Sequence, residues 1–180
     1  MDGRALHAPR QHGIEPVRMT GGKFGPEVRL FWLATLFLTV GIIVYAVDRG
    51  GAAYFLPDWL ATNGEISIFG AVGERLPTFV HTLAFILITV AVLRPWPKRV
   101  PAICAAWFAL ECMFEIGQHE ALGQRIADAI PGWVDGIPML EATPIYFASG
   151  TFDWLDILSI GLGAVTAYLL VRKLREGGMP

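Results

Sequence analysis

The chain has 180 residues, of which 54% are hydrophobic and only 17% are charged, and its mean hydropathy is +0.50. A soluble domain of this size needs more charge to cover its surface, so the composition excludes an ordinary soluble protein. The net charge of −2 gives no electrostatic basis for binding nucleic acid. The composition is that of an integral membrane protein.

The N-terminal residues 1–27 form a leader rich in glycine, proline and charged residues. It has no apolar core region, so we expect a flexible cytoplasmic segment and not a cleaved signal peptide. The apolar run VRLFWLATLFLTVGIIVYAV follows at 28–47. A helix needs about 20 apolar residues to cross a bilayer, so this run predicts a first span that also anchors the chain.

Three further runs are apolar enough to cross a membrane, at 76–93, 100–118 and 152–171. The first two are joined by RPWPKRVP, a short basic turn whose prolines end one helix and begin the next. The sequence therefore predicts an all-α, polytopic membrane protein with four spans. They lie in a membrane domain at 28–175, and a short tail follows at 176–180.

The other two connections are longer, at 48–75 and 119–151. Within the second, EALGQRIADAI predicts a short amphipathic helix at the membrane surface, ended by Pro131 and Gly132. The rest of this loop is broken by prolines and glycines, and so long a loop in a small bundle is more often a lid or a partner surface than a spacer. Three aromatic residues are available to anchor it: Trp133, Tyr146 and Phe147.

The basic residues predict the orientation of the spans. Of the fourteen Lys and Arg, all but Arg49, Arg75 and Arg125 lie in the leader, the 94–99 turn, the start of the first span or the end of the last. Cytoplasmic segments of membrane proteins carry an excess of Lys and Arg. We therefore expect both termini to be cytoplasmic and the two longer loops to lie outside.

Ionisable and polar residues lie near one end of three spans. Because successive spans run in opposite directions, we expect these residues at one depth, just below the outer interface. Glu111 lies one turn deeper than Glu115 on the same helix face. Acids inside a membrane are rare and usually face a bundle interior, a partner or a cavity. The residues are His81, Glu115, Gln118, His119, Asp153 and Asp156.

Most of these residues also have a structural interpretation. Asp153 fits the N-cap of the last span, where a carboxylate meets free backbone N–H groups. Exposure to water would explain His119 and Glu120. A hydrogen bond to a neighbouring helix would explain His81. Glu115 and Asp156 are the hardest to explain by structure alone.

Three motifs, FVHTLAF, EIGQ and DILSIGLGA, occur in this order on the last three spans. In kind and order they resemble the VanZ-like membrane proteins, over about residues 76–172. The chain departs from that family's pattern at Thr78, where a Lys is common, and at Ile160, where an Asn is expected, and GTFDW has no Arg before the last span. The matching residues are His81, Glu115, Gln118, Asp156 and Gly163.

The resemblance implies a multi-pass protein of the bacterial cytoplasmic (inner) membrane. It also implies a role in the cell envelope, because the name-giving member is linked to low-level resistance to the glycopeptide teicoplanin. It implies no settled reaction, and whether the chain is an enzyme stays open.

Two classes of function follow from the residues. In the first, the polar residues form an outward-facing site that binds or processes an envelope lipid or glycan lipid. His81 would then be a general acid or base, or a ligand, with Glu115 and Asp156 as its carboxylate partners. The weaker site candidates are Gln118, His119 and Asp153. In the second class, the same residues hold the helices together in a non-catalytic scaffold or an accessory subunit of a larger membrane complex.

The sequence identifies no cofactor. His with two carboxylates is a known metal-ligand set, but no HExxH spacing occurs and too few His lie near the membrane for a His-rich di-iron site. Membrane lipids are the expected partners, with a second copy of the chain or another membrane subunit as the alternative.

Overall fold

The computed structural model describes residues 25–49, 68–138 and 140–176, and every long regular element in them is an α-helix. The chain is all-helical in this part, as the sequence predicts. The predicted leader and tail lie almost wholly outside the described residues. The helices are α1 (Pro26–Arg49), α2 (Gly70–Leu93), α3 (Val100–Gly117), α4 (Glu120–Ala129), α5 (Thr143–Ser149) and α6 (Trp154–Glu176).

Four of these helices, α1, α2, α3 and α6, are long and apolar enough to cross a membrane. Their outer faces carry large exposed apolar side chains, which suit contact with lipid and would be a liability in water. The fold is therefore that of a multi-pass membrane protein, as the composition predicts. Examples of the exposed side chains are Phe31, Leu36 and Ile43 on α1 and Leu158, Leu162 and Leu169 on α6.

The predicted spans agree with these helices in number and order, and the span predicted at 100–118 differs from α3 by one residue. The last helix continues to Glu176, beyond the predicted end at 171. Lys173 and Arg175 in its last turn favour this extension, because cations stabilise the negative end of a helix dipole.

The largest difference is the start of α2, which begins at Gly70 and not at 76. The reason lies on α1: the carboxylate of Asp48 accepts the backbone N–H of Ile68 at 2.8 Å and that of Phe69 at 3.1 Å. Backbone N–H groups at the start of a helix need such acceptors. Supported from α1, α2 begins before the predicted apolar run and includes Arg75, which the sequence assigns to the preceding loop.

The core lies where α2 packs between α1 and α6. Leu83 and Leu87 of α2 are fully buried. Burying a Leu side chain contributes about 1.5–3 kcal/mol in water-based estimates, but within a lipid phase close packing replaces that driving force. The partners of these residues are accordingly small where helices approach: Ala34 on α1 and Ala164 and Ala167 on α6.

Gly163 marks the closest approach of α6 to α2. A Cβ at this position would lie 2.6 Å from the carbonyl oxygen of Phe79 and 3.2 Å from Cβ of Thr82. The missing side chain therefore lets the two backbones touch, as small residues do between membrane helices.

The two short helices lie at the end of the bundle where α3 ends and α6 begins. The predicted amphipathic helix forms as α4, and its buried Gly123 packs against the backbone of Phe147 in α5. The sequence does not predict α5, which starts with a proline at its second residue. Trp133 is exposed, as an interface anchor would be, but Phe147 is buried against Gly117 of α3. Phe147 therefore anchors this loop on the bundle and not at an exposed surface.

Candidate functional site

A chain of polar contacts joins α2, α3 and the start of α6 at the end of the bundle that carries α4 and α5. The carboxylate of Glu115, only 7% exposed, accepts the backbone N–H of Asp153 at 2.8 Å. The carboxylate of Asp153 in turn accepts a hydrogen bond from Nη2 of Arg75 at 2.9 Å. Two acidic side chains and one cation from three spans therefore meet at one place.

Asp153 has two structural roles in this chain of contacts. Its Oδ1 accepts the N–H of Leu155 at 2.9 Å, so Asp153 caps the N-terminus of α6 as the sequence predicts. Its Oδ2 binds Arg75 across a partly exposed ion pair. The first turn of α6 is thus held from α2 through a side chain and from α3 through a main-chain contact.

Asp156 and Glu111 extend the acidic cluster into the bundle. Asp156 lies in the first turn of α6, and its Oδ1 atom is buried. Glu111 is half-buried one turn before Glu115 on α3. Burying a carboxylate is costly unless polar groups surround it. Glu111 on α3 and Asp156 on α6 therefore add two more polar groups to the acidic cluster.

Tyr146 of α5 lies beside this acidic cluster. Its hydroxyl oxygen accepts a hydrogen bond from Nε2 of Gln118 at 2.6 Å. Burial raises the pKa of the Tyr146 phenol above its usual value of about 10, and the negative charges of Glu115 and Glu111 raise it further. The hydroxyl is therefore a neutral group next to carboxylates.

The position of Tyr146 follows from how α5 rests on α3. The ring of Phe147 stacks on Phe114 at a centroid distance of 5.9 Å. A Cβ at Gly150 would collide with the side chain of Gln118, so the end of α5 also fits closely against that residue. These contacts hold α5 over the last turn of α3.

His81 lies on an exposed face of α2, with its ring centroid 4.2 Å from that of Phe85. Phe85 stacks in turn on Trp107 of α3 at 5.0 Å. The indole N–H of Trp107 donates to Thr89 at 3.0 Å. His81 is therefore part of an aromatic row between α2 and α3, and its predicted role as acid, base or ligand stays a prediction.

His119 lies at the junction of α3 and α4. Its Nδ1 accepts the backbone N–H of Ala121 at 3.2 Å, so it caps α4, and its exposed ring lies 5.7 Å from that of Phe152. Glu120 is exposed. The weaker candidates thus separate: Gln118 and Asp153 have contacts within the cluster, and His119 has a helix-capping contact.

Sequence reasoning missed two residues of the cluster, Arg75 and Tyr146. The sequence places Arg75 in a loop. Its position is nevertheless unusual, because it is one of only three basic residues outside the segments predicted to be cytoplasmic. For Tyr146 the sequence predicts only a residue that anchors the loop. Its position depends on α5, for which the sequence carries no clear periodic pattern.

The cluster offers groups for hydrogen bonding and proton transfer more than for metal binding. Among the described residues, no group of three or more His, Cys, Asp or Glu side chains is arranged to hold a metal ion. Carboxylates accept protons from hydroxyl or amine groups, and a guanidinium binds phosphate or carboxylate oxygens. Nε of Arg75 is buried and has no hydrogen-bond acceptor among the described residues.

Comparison of the chain with protein-family models, with curated proteins and with solved structures finds no match.

Proposed function

We propose that this chain is a VanZ-like protein of the bacterial cytoplasmic membrane whose polar cluster binds or processes the head group of an envelope lipid or glycan lipid. The cluster comprises Arg75, Glu115, Asp153 and Asp156, with Gln118 and Tyr146 beside it. The order of the three sequence motifs supports the family, and the cluster supports the site.

The observation that carries the proposal is the contact between Glu115 and Asp153, with Arg75 bound to Asp153. It joins three spans at one end of the bundle through charged side chains. Helices that needed only to pack would be held by apolar contacts at less cost, since polar groups within a membrane are expensive.

The chemistry of the cluster fits a head group with both phosphate and hydroxyl groups. The buried Nε of Arg75 is a donor for which a phosphate oxygen is a matching acceptor. Carboxylates such as Glu115 and Asp156 accept hydrogen bonds from sugar hydroxyls and act as general bases. The amide of Gln118 and the hydroxyl of Tyr146 add neutral hydrogen-bonding groups that suit hydroxyl groups of a glycan.

We also propose that both termini are cytoplasmic, so that the cluster lies at the outer face. The asymmetry of the basic residues supports this orientation. Reporter fusions test it: a fusion at Gly136 should report the outside and one at Pro97 the inside. An inside signal at Gly136 would reverse the orientation and exclude an outer-leaflet lipid.

The function is tested by removing charge while keeping shape. In the native bacterium, a deletion strain is complemented with the wild-type chain, Glu115→Gln or Asp156→Asn. Teicoplanin susceptibility and envelope-lipid composition are then measured. We expect both variants to reach wild-type levels in the membrane and to fail in complementation. The control is Glu120→Gln, at an exposed position on α4, which should complement fully.

The second candidate is a scaffold, and one observation favours it. Glu115 accepts a hydrogen bond from a main-chain N–H. An uncharged amide oxygen could accept the same bond, so the role of Glu115 is compatible with holding α6 in place. If Glu115→Gln and Asp156→Asn complement fully, or if deletion changes neither measured property, the lipid-processing proposal is wrong.

A further inference from the structure

The opposite end of the bundle gathers cations from two separate parts of the chain. The connection between α2 and α3 approaches the last turns of α6 there, because Nη1 of Arg175 donates to the carbonyl oxygen of Pro95 at 2.9 Å. We call the result the basic turn surface. It consists of Arg94, Lys98, Arg99 and Arg175.

The local backbone places Arg94, Lys98 and Arg99 at an exposed corner. Arg94 ends α2 in a left-handed conformation, with φ of 46°, and its N–H bonds to the carbonyl of Val90. A 3-10 turn at Pro97–Arg99 then leads into α3 and leaves Lys98 exposed. Residues other than glycine seldom adopt a left-handed conformation. Holding Arg94 at this corner therefore costs some conformational free energy.

The charges of this surface are not neutralised within the described residues. None of its four cations forms an ion pair with an Asp or Glu there. At the same end, Arg172 pairs with Glu176 at 2.7 Å, and Glu27 lies in the first turn of α1. A compact group of unpaired cations attracts anions.

Two features indicate that the anion belongs to a lipid. Trp96, 75% exposed, lies in the same turn, and tryptophan favours the level of the lipid head groups. Val92 and Leu93, exposed by 67% and 65%, lie directly before Arg94 on α2. Acyl chains therefore have an apolar surface immediately beside the cations.

From this arrangement we infer that the basic turn surface is a binding site for an anionic phospholipid. The head-group phosphate lies among the cations of the two segments, and the acyl chains lie along the end of α2. Basic clusters at the ends of membrane helices recognise anionic head groups in this way. The site is at the opposite end from the polar cluster and does not depend on the proposed function.

Cations at this end would also set the orientation of the chain without binding any one lipid. Native mass spectrometry of the detergent-purified protein separates the two roles, because orientation has no meaning in a micelle. The protein is mixed with equal amounts of phosphatidylglycerol and phosphatidylcholine that have the same acyl chains. We expect wild-type protein to retain phosphatidylglycerol preferentially.

Two variants test the residues. Lys98→Gln should weaken retention of phosphatidylglycerol roughly fivefold, and adding Arg94→Gln and Arg99→Gln should abolish the preference, since each cation near a membrane surface contributes a comparable factor. The control is Arg125→Gln, which removes one exposed cation from α4 at the other end. It should leave the preference unchanged.

Three results would overturn the inference. Equal retention of the two lipids by wild-type protein would show no anionic site. A triple variant that retains phosphatidylglycerol like the wild type would place any site elsewhere. Displacement of the lipid by glycerol phosphate at an equal concentration would show a phosphate site without need of acyl chains.

Discussion

Glu115 of α3 and Asp153 at the start of α6 are joined by a hydrogen bond of 2.8 Å from the Asp153 backbone N–H to the Glu115 carboxylate. The acceptor is a buried side chain, but the donor is main chain. The contact therefore needs an oxygen at that position and does not by itself need a negative charge. This separation of shape from charge makes the role of the cluster testable by conservative substitution.

Substitution of Glu115 should affect stability according to whether an oxygen remains. Glu115→Gln should change the free energy of unfolding by less than about 1 kcal/mol, because the amide oxygen still accepts the Asp153 N–H. Glu115→Ala should destabilise by about 1–3 kcal/mol, because that N–H loses its acceptor. Thermal unfolding in detergent measures both. Equal losses in the two variants would mean that the charge itself supports the fold.

The ion pair between Arg75 and Asp153 should show a small coupling energy. Its side chains are 27% and 41% exposed, so solvent screens the attraction, and we expect a coupling of about 1 kcal/mol or less. A double-mutant cycle with Arg75→Gln and Asp153→Asn measures it, because Asn retains the cap on Leu155. A coupling above about 3 kcal/mol, in the range of a fully buried pair, would contradict the exposure seen here.

Gly163→Ala should destabilise the contact between α2 and α6. The new Cβ would lie 2.6 Å from a backbone oxygen, so the helices must separate, at a typical cost of about 1–3 kcal/mol. Gly161→Ala is the matched control, two residues earlier on the same helix. Its Cβ would meet Phe108 at an ordinary 3.5 Å, and alanine favours a helix over glycine by about 0.5–1 kcal/mol. We expect the melting temperature of Gly163→Ala to lie below that of Gly161→Ala. The reverse order would disprove the close approach of α6 to α2 at Gly163.

Tyr146 should make the stability fall at alkaline pH. Its pKa is raised in the folded protein, so the folded state keeps a proton that the unfolded state loses above about pH 10. The stability from this group is therefore complete below that pH and declines as the pH rises past it. Tyr146→Phe should remove this part of the decline, together with the bond from Gln118.

Ultraviolet titration of phenolate absorbance provides the check on Tyr146. The difference between wild-type and Tyr146→Phe curves should show the absorbance of this one side chain appearing well above pH 10, later than for a free tyrosine. A difference curve centred near pH 10 would mean that Tyr146 is open to water and away from the carboxylates.

The spans could be predicted because their signal is local. The run at 100–118 begins after a proline turn and is apolar apart from Glu111 until its last turn, and α3 follows it closely. The start of α2 could not be predicted, because the group that supports it, Asp48, lies on another helix, 20 residues earlier than Ile68. Local polarity suggested a loop where a distant carboxylate allows a helix.

The sequence by itself determined the all-helical membrane class, the number of spans and the end of the bundle at which Glu115, Asp153 and Asp156 lie. Hydropathy and the direction of each span suffice for those properties, since each is a sum over neighbouring residues. Only the tertiary structure decided which side chains meet. Glu115 reaches a partner 38 residues away and Arg75 one 78 residues away. Those contacts depend on how α2, α3 and α6 rotate and pack, which is settled by close fits such as that of Gly163 on Phe79 and not by any pattern within one helix.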